Sequence, residues 1–358
     1  LAPAGEGPKD RQGWTYFFGI QALDACFPLG VIQILLEGIQ VRGMDSEHKS
    51  APLWVWFNLL VVWLCWGTTY LAIREGVSGE NGLPPLLFAG VRITLAGIIL
   101  VLFFLVWRKK FRLNWSQIWP IWLSGIFLFV GGNGLCTIAE MTVESGLASV
   151  LIATTPLWLA LFDVIWPGGD RMNSAKWLGM LSGFGGVCLI LLGPSLVTSS
   201  PISSLWEWER GNFIALGSAF AWAIGSIIQR RLAPRIDAIQ IAGWQMLTGG
   251  ASLTVLGLCF GELTQITQDK LNPTTIGAFF YLLCIGSLIG FVAFVWLLHH
   301  TTPAIAGTYG YVNPVVAVWV GWLLGGESPG WVLVPGMALI LLAVFLVRMP
   351  GKKIPAQR

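Results

Sequence analysis

P-L-L-F-A-G-V-R-I-T-L-A-G-I-I-L-V-L-F-F-L-V-W, running from Pro85 to Trp107, carries a single charge, Arg92, in an otherwise apolar or small-residue stretch. At about 1.5 Å of rise per residue, a helix of this length crosses the ~30 Å hydrocarbon core of a bilayer. Comparable stretches recur on both sides. They run approximately from Leu53 to Ile73, Trp115 to Thr137, Ser145 to Trp166, Lys176 to Leu196, Asn212 to Leu232, Ala238 to Phe260, Thr275 to Leu298, Ala304 to Leu324 and Trp331 to Val347. Ten transmembrane helices are therefore expected, joined by short linkers of Gly, Pro, Asn and charged residues.

Composition agrees. Of 358 residues, 55% are hydrophobic and 11% charged, against roughly 25% charged in an ordinary soluble domain. This excludes a disordered or cytosolic protein, and the lipid bilayer is the expected solvent. The net charge of +3 is small and the basic residues are scattered through linkers, so no nucleic-acid partner is expected. Six isolated cysteines and three histidines offer no close pairs or clusters, so neither a metal nor another cofactor is expected. The G-x-x-x-x-G-K-[ST] nucleotide motif is missing, and Gly326 to Gly330 fits G-x-S-x-G without the strand that pattern needs.

Basic residues flanking membrane spans are retained on the cytoplasmic side. With the segment before Leu53 inside, the inner linkers and tail hold fourteen Lys and Arg, among them Arg108, Lys109, Lys110 and Arg112, and the outer linkers hold three, Arg74, Arg210 and Lys270. Both termini are expected in the cytoplasm, with the chain in the inner membrane.

The chain also repeats. Trp66 matches Trp222, Gly90 matches Gly243, Pro156 matches Pro314, Gly168-Gly169-Asp170 matches Gly325-Gly326-Glu327, and Gly179 matches Gly336, at separations of 156, 153, 158, 157 and 157. The expected organisation is a first repeat over 53–196, a periplasmic linker at 197–211, a second repeat over 212–347 and a basic tail at 348–358. Five helices per repeat is an odd number, so the copies must be inverted, as in alternating-access transporters. In the N-terminal segment 1–52, the first 43 residues fit this plan poorly. Met44 is the first methionine, and the stretch to about residue 43 is read as a non-native extension before a short cytoplasmic tail.

Arg92 lies about eight residues, roughly 12 Å, into its span, where a charge is expensive and needs a partner or a cavity. It is a candidate for substrate binding or coupling; the alternative is a buried Arg tying helices together through carbonyls or Glu140. Glu140, near the outer end of the third span, is a candidate for taking up a proton or pairing with a cationic substrate group. Glu144 is read as a solvated interfacial carboxylate and Asp163 as a gate or interfacial charge. Pro156 and Pro314, at matching repeat positions, are read as helix kinks lining a cavity, next to Thr154-Thr155 in one repeat and Tyr309, Tyr311 and Asn313 in the other. Trp66, Thr69 and Tyr70 of the first span, with Trp222 of the sixth, supply aromatic and hydroxyl groups at matching depth. Gly179/Gly183, Gly286/Gly290 and Gly321/Gly325 have the spacing that lets helix backbones approach closely.

The segments W-G-T-T-Y-L-A-I-R from Trp66, L-P-P-L-L-F-A-G-V-R from Leu83 and A-E-M-T-V-E-S-G-L-A-S-V-L-I-A-T-T-P-L-W from Ala139 resemble the drug/metabolite transporter superfamily, most nearly its EamA-type exporters of the YedA-like branch. A-W-A-I-G-S-I-I-Q-R-R from Ala221, N-P-V-V-A from Asn313 and Gly326-Glu327 carry the likeness into the second half. Asp170 departs from it, standing where the pattern usually has Glu. The resemblance implies a ten-helix bundle of two inverted repeats around a central cavity, exporting small metabolites such as amino acids or derivatives; drugs are a further candidate substrate, and either the substrate gradient or exchange with protons is expected to drive export. An integral-membrane enzyme acting on lipid or sugar carriers is the alternative of a different class; a pore would need rings of charge or a filter sequence.

Overall fold

The computed structural model describes residues 52–108, 114–165, 174–198, 202–232, 238–300 and 308–348, and among these the chain forms helices and short turns without a strand. Hydrocarbon offers a backbone no hydrogen-bond partner, so a chain this apolar must pair its own amides within each segment. The helices are α1 (Pro52–Val77), α2 (Pro85–Arg108), α3 (Trp115–Ala139), α4 (Ser145–Ile152), α5 (Thr155–Ile165), α6 (Ser174–Thr198), α7 (Ile202–Leu232), α8 (Ala238–Cys259), α9 (273–300), α10 (Tyr309–Leu323) and α11 (Leu333–Arg348). Six segments are long and apolar enough to cross a membrane: Leu53–Val77, Pro85–Val106, Trp115–Ala139, Ser145–Phe162, Arg210–Gln229 and Pro273–Phe294. Trp177–Leu191 and Leu333–Leu346 are shorter apolar helices.

Three local features differ from the sequence expectation. The span expected from Ser145 to Trp166 is broken at Ala153-Thr154, between α4 and α5. Pro156 is thus the second residue of α5, where a missing N–H costs no helical bond; it starts a helix instead of kinking one, whereas Pro314 does lie inside α10. The carbonyls released at the break are satisfied locally, by Thr154 Oγ1 donating to Leu151 at 2.7 Å and Thr155 Oγ1 donating to Ile152 at 2.7 Å. The 197–211 stretch read as a linker is largely helical, since α6 reaches Thr198 and α7 begins at Ile202. The expectations for residues 1–51, Lys109 to Arg112, Gly168 to Arg171, Arg235 and residues 349–358 fall outside the described residues.

Two antiparallel helix pairs organise the packing. Along α2 and α8, Gly90 faces Thr254, Thr94 faces Gly250, Gly97 faces Leu247 and Val101 faces Gly243, so a glycine from one helix or the other stands at each crossing. A methyl on Gly90 would lie 2.6 Å from the Thr254 nitrogen, and this closeness is what small residues contribute where apolar surface alone cannot drive helices together in lipid. On the other side, Gly183 faces Ala343 and Gly186 faces Ile340 across α6 and α11. The matched glycines Gly90 and Gly243 thus lie toward opposite ends of one helix interface.

Gly97→Ala is expected to cost about 1–3 kcal/mol by overpacking against the Leu247 backbone, while Gly185→Ala, with open space at its Cβ position, gains helix propensity. Thermal unfolding in detergent should show Tm lowered by a few degrees in the first and unchanged or raised in the second.

Candidate functional site: a cavity around Arg92

A cavity of about 180 Å³ lies inside the bundle, walled by α1, α2, α3, α5, α7, α9 and α10, with contributions from α4 and α8. Of the residues singled out in the sequence, Trp66, Thr69, Tyr70, Arg92, Pro156, Trp222, Tyr309, Asn313 and Pro314 line it. Two do not. Tyr311 turns away and donates its hydroxyl to the Val344 carbonyl at 2.9 Å, packing with α11. Glu140 is fully buried behind the wall, accepting from Cys136 Sγ at 3.3 Å, while Cys136 itself lines the cavity.

Arg92 is 4% exposed. Its Nη2 donates to Asn133 Oδ1 at 2.9 Å and its Nη1 to Ser287 Oγ at 3.0 Å, and its Nε has no hydrogen-bond partner. Glu140 is not its counter-ion: the guanidinium is held by neutral acceptors, which leaves its charge directed at the cavity.

Both acceptors come from π-helical turns, Ile126–Gly134 within α3 and Leu282–Ile289 within α9. A π turn widens the helix and releases carbonyls from the i→i−4 pattern, which is why such turns gather at functional sites. Here side chains from the opposite half of the chain approach these turns. Trp66 Nε1 donates to the Gly286 carbonyl at 3.1 Å, and Ser218 Oγ donates to the Gly132 carbonyl at 2.7 Å. The matched tryptophans are seated in parallel fashion, Trp66 against Gly290 and Trp222 against Gly132, where a methyl would come within 2.8 Å and 2.7 Å of the indoles. The G-x-x-x-G at Gly286/Gly290 is therefore a seat for Trp66. Trp66 also meets Tyr309 edge-on at 5.0 Å between centroids, and Trp222 meets Phe129 at 6.4 Å.

Asn133 and Ser287 were not singled out from the sequence. The available signal is a polar residue beside glycine inside an apolar span, Gly131-Gly132-Asn133-Gly134 and Gly286-Ser287.

One end of the bundle is closed by carboxylates on helix N-termini. Glu327, 7% exposed, accepts from the Ser145 amide at 2.7 Å and the Gly146 amide at 3.0 Å, joining the end of α10 to the start of α4. Gly326 supplies the turn with φ 63°, a backbone region that favours glycine. Arg74 lies 3.5 Å from the same carboxylate and donates to the Val143 carbonyl. Glu262 does the same for α2, accepting from Leu87 at 2.7 Å and Leu86 at 3.2 Å after Gly261, φ 73°. An anion at these positions meets both free amides and the positive end of the helix dipole. Glu144, read from sequence as solvated, is half-buried; partial desolvation, then the Glu327 charge, raises its pKa while Arg74 opposes the shift.

The sequence profile of the EamA-like transporter family matches twice, over residues 53–192 and 209–349. The inner membrane transporter YedA of Escherichia coli is 32% identical over 303 residues, covering 84% of this chain and 92% of that protein. The transporter YoaV of Bacillus subtilis is 26% identical over 292 residues, covering 82% and 96%. A WAT1-related chloroplastic protein of Arabidopsis thaliana is 24% identical over 296 residues, covering 82% and 69%. With both halves matched and nearly all of a 32%-identical transporter covered, the chain belongs to the EamA-like transporter family.

Proposed function

We propose that this membrane transporter is a secondary carrier that exports small metabolites, amino acids or their derivatives, by alternating access between two inverted five-helix repeats, with both termini cytoplasmic. The observation that carries the reading is the cavity between the two family-matched halves, closed around one buried cation and walled by residues of both. Its volume of about 180 Å³ is below the roughly 300–1,000 Å³ of pockets that enclose drug-sized ligands, which favours small metabolites.

Inversion is supported by the contacts themselves. α2 and α8, and likewise α6 and α11, occupy corresponding places in the two halves and cross antiparallel, as two copies related by an axis in the membrane plane would. The exchanged contacts of Trp66 with α9 and of the Ser218–Trp222 face with α3 follow the same relation. Under the positive-inside orientation the Glu327 end is periplasmic, so this conformation is shut to the outside by Glu327, Arg74 and the start of α4. Export requires these bonds to release while contacts near the cytoplasmic face form.

Glu140 has an Oε2 without a hydrogen-bond partner and sits one side chain behind the cavity wall. It is the carboxylate best placed to take a proton from, or release one to, the transport path, with Cys136 between it and the substrate.

In proteoliposomes, saturable counterflow of amino acids or their acylated derivatives is expected, and Arg92→Ala and Glu140→Gln should each reduce it at least tenfold with folded protein retained. Unchanged flux in both would remove these residues from the mechanism, and lipid turnover without exchange would replace a carrier by an enzyme. Glu327→Ala removes charge-assisted bonds worth about 1.5–3 kcal/mol each. With Cys136 as the one remaining cysteine, an impermeant maleimide applied from the periplasmic face should then react tenfold faster or more, and Glu262→Ala should leave that rate unchanged.

A further inference from the structure

The chemistry of the cavity narrows the substrate beyond the transporter reading, on which this inference rests. Among the described residues that line it, Arg92 is the one ionised group at neutral pH; no Asp, Glu or Lys shares the wall. A guanidinium has five N–H donors, and Arg92 spends two identified bonds on Asn133 and Ser287 while Nε remains unpartnered. Such a group in a water-poor site calls for an anion, and a carboxylate matches its planar fork with two parallel hydrogen bonds.

A zwitterionic amino acid brings an ammonium as well, which must lose its hydration shell and find acceptors for three N–H donors. The carboxylate nearest the wall, Glu140, is 0% exposed and separated from the cavity by Cys136, so it cannot touch an ammonium there. The described wall offers neutral polar groups instead, among them Asn313 Oδ1, which has no hydrogen-bond partner and belongs to a residue 5% exposed. One amide oxygen suits one neutral donor, such as an amide N–H or a hydroxyl. An ammonium would find no carboxylate among the described lining residues to offset its charge, beside an arginine that repels it. Trp222, Phe129 and Phe291 provide the apolar wall for the rest of the molecule.

We propose that the cavity selects organic monoanions: a carboxylate bound by Arg92, an apolar or aromatic body, and a single neutral donor for Asn313, in preference to zwitterionic amino acids. N-acylated amino acids and 2-hydroxy acids belong to this class, in which the amine has been acylated or replaced by a hydroxyl. The reaction that supplies such a substrate is an acyl transfer to an amine, or the reduction of a 2-oxo acid.

The test uses the purified full chain, in detergent for thermal shift and in proteoliposomes for counterflow. The probes are N-acetyl-phenylalanine, phenyllactate, phenylalanine and phenylalaninamide, with the corresponding leucine-derived set to vary the body. Half-saturation by the two anions is expected at concentrations at least tenfold lower than by the zwitterion, with the amide cation weakest. Arg92→Lys should keep this order with weaker binding, because the charge remains and the fork is lost. Arg92→Met should erase the anion preference, and Asn313→Ala should weaken N-acetyl-phenylalanine and phenyllactate more than 3-phenylpropionate, which has no donor. Equal or better use of the zwitterion, or an anion preference that survives Arg92→Met in folded protein, overturns the proposal and leaves the carrier reading intact. Anion-selective thermal stabilisation lost in Arg92→Met, without exchange of any probe, upholds the binding site and overturns the carrier reading. Neither stabilisation nor exchange in either set overturns both.

Discussion

A backbone surrounded by hydrocarbon must satisfy its own hydrogen bonds, and the rest of this structure follows from where that requirement is relaxed. Most of the described helices keep the ordinary pattern and turn exposed leucines, phenylalanines and tryptophans outward. Several departures line the cavity: the break at Ala153-Thr154, the π turns of α3 and α9, and Pro314 inside α10. At the break and at the π turns, side chains supply hydrogen bonds to the backbone. Thr154, Thr155, Ser218 and Trp66 supply donors to the carbonyls involved. The same irregular turns carry Asn133 and Ser287, the groups that hold Arg92. Local geometry and site chemistry therefore have one origin.

Charge is distributed with the same economy. Arg92 inside the bundle is left with neutral acceptors, whereas the carboxylates of Glu262 and Glu327 are placed on helix N-termini. A buried carboxylate bonded to two amides is well stabilised, yet those bonds depend on the relative position of two helices and are lost together when the helices part. Glu327 and Arg74 bring α1, α4 and α10 to one point, and α1, α4 and α10 all also contribute to the cavity. In the proposed cycle, opening that end to release substrate disturbs this point, and the helices that meet there are ones that also line the cavity.

Much of this was legible in the sequence. The apolar stretches and the single charge at Arg92 pointed to a membrane bundle with a polar interior, and the spacing of Trp66 with Trp222 led to two residues that both line the cavity. The likeness around Trp66, Leu83 and Ala139 identified the family that the two-fold profile match shows. What escaped depended on helix rotation and on local winding. Tyr311, two residues from Tyr309, faces α11 because a helix turns about 200° over two positions. Asn133 and Ser287 gain their role from π turns, which leave no periodic signature in an apolar stretch. Glu262 carries no signal in the sequence, because a carboxylate in a linker reads as solvated until the helix end beside it is known. Glu140 and Arg92 do not pair, because Glu140 accepts from Cys136 while Arg92 donates to Asn133 and Ser287, a choice set by helix rotation that the sequence does not display.

The central claim is that the two halves move about the cavity so that the Glu327 end opens and closes. Thr142 and Ser328 are exposed at that end, one before the start of α4 and the other just after Glu327. Spin labels placed there in a cysteine-free background would report their separation directly. Two distance populations are expected in membranes, with the longer one enriched by Glu327→Ala. A single distance, unchanged by that substitution, would contradict alternating access at this end.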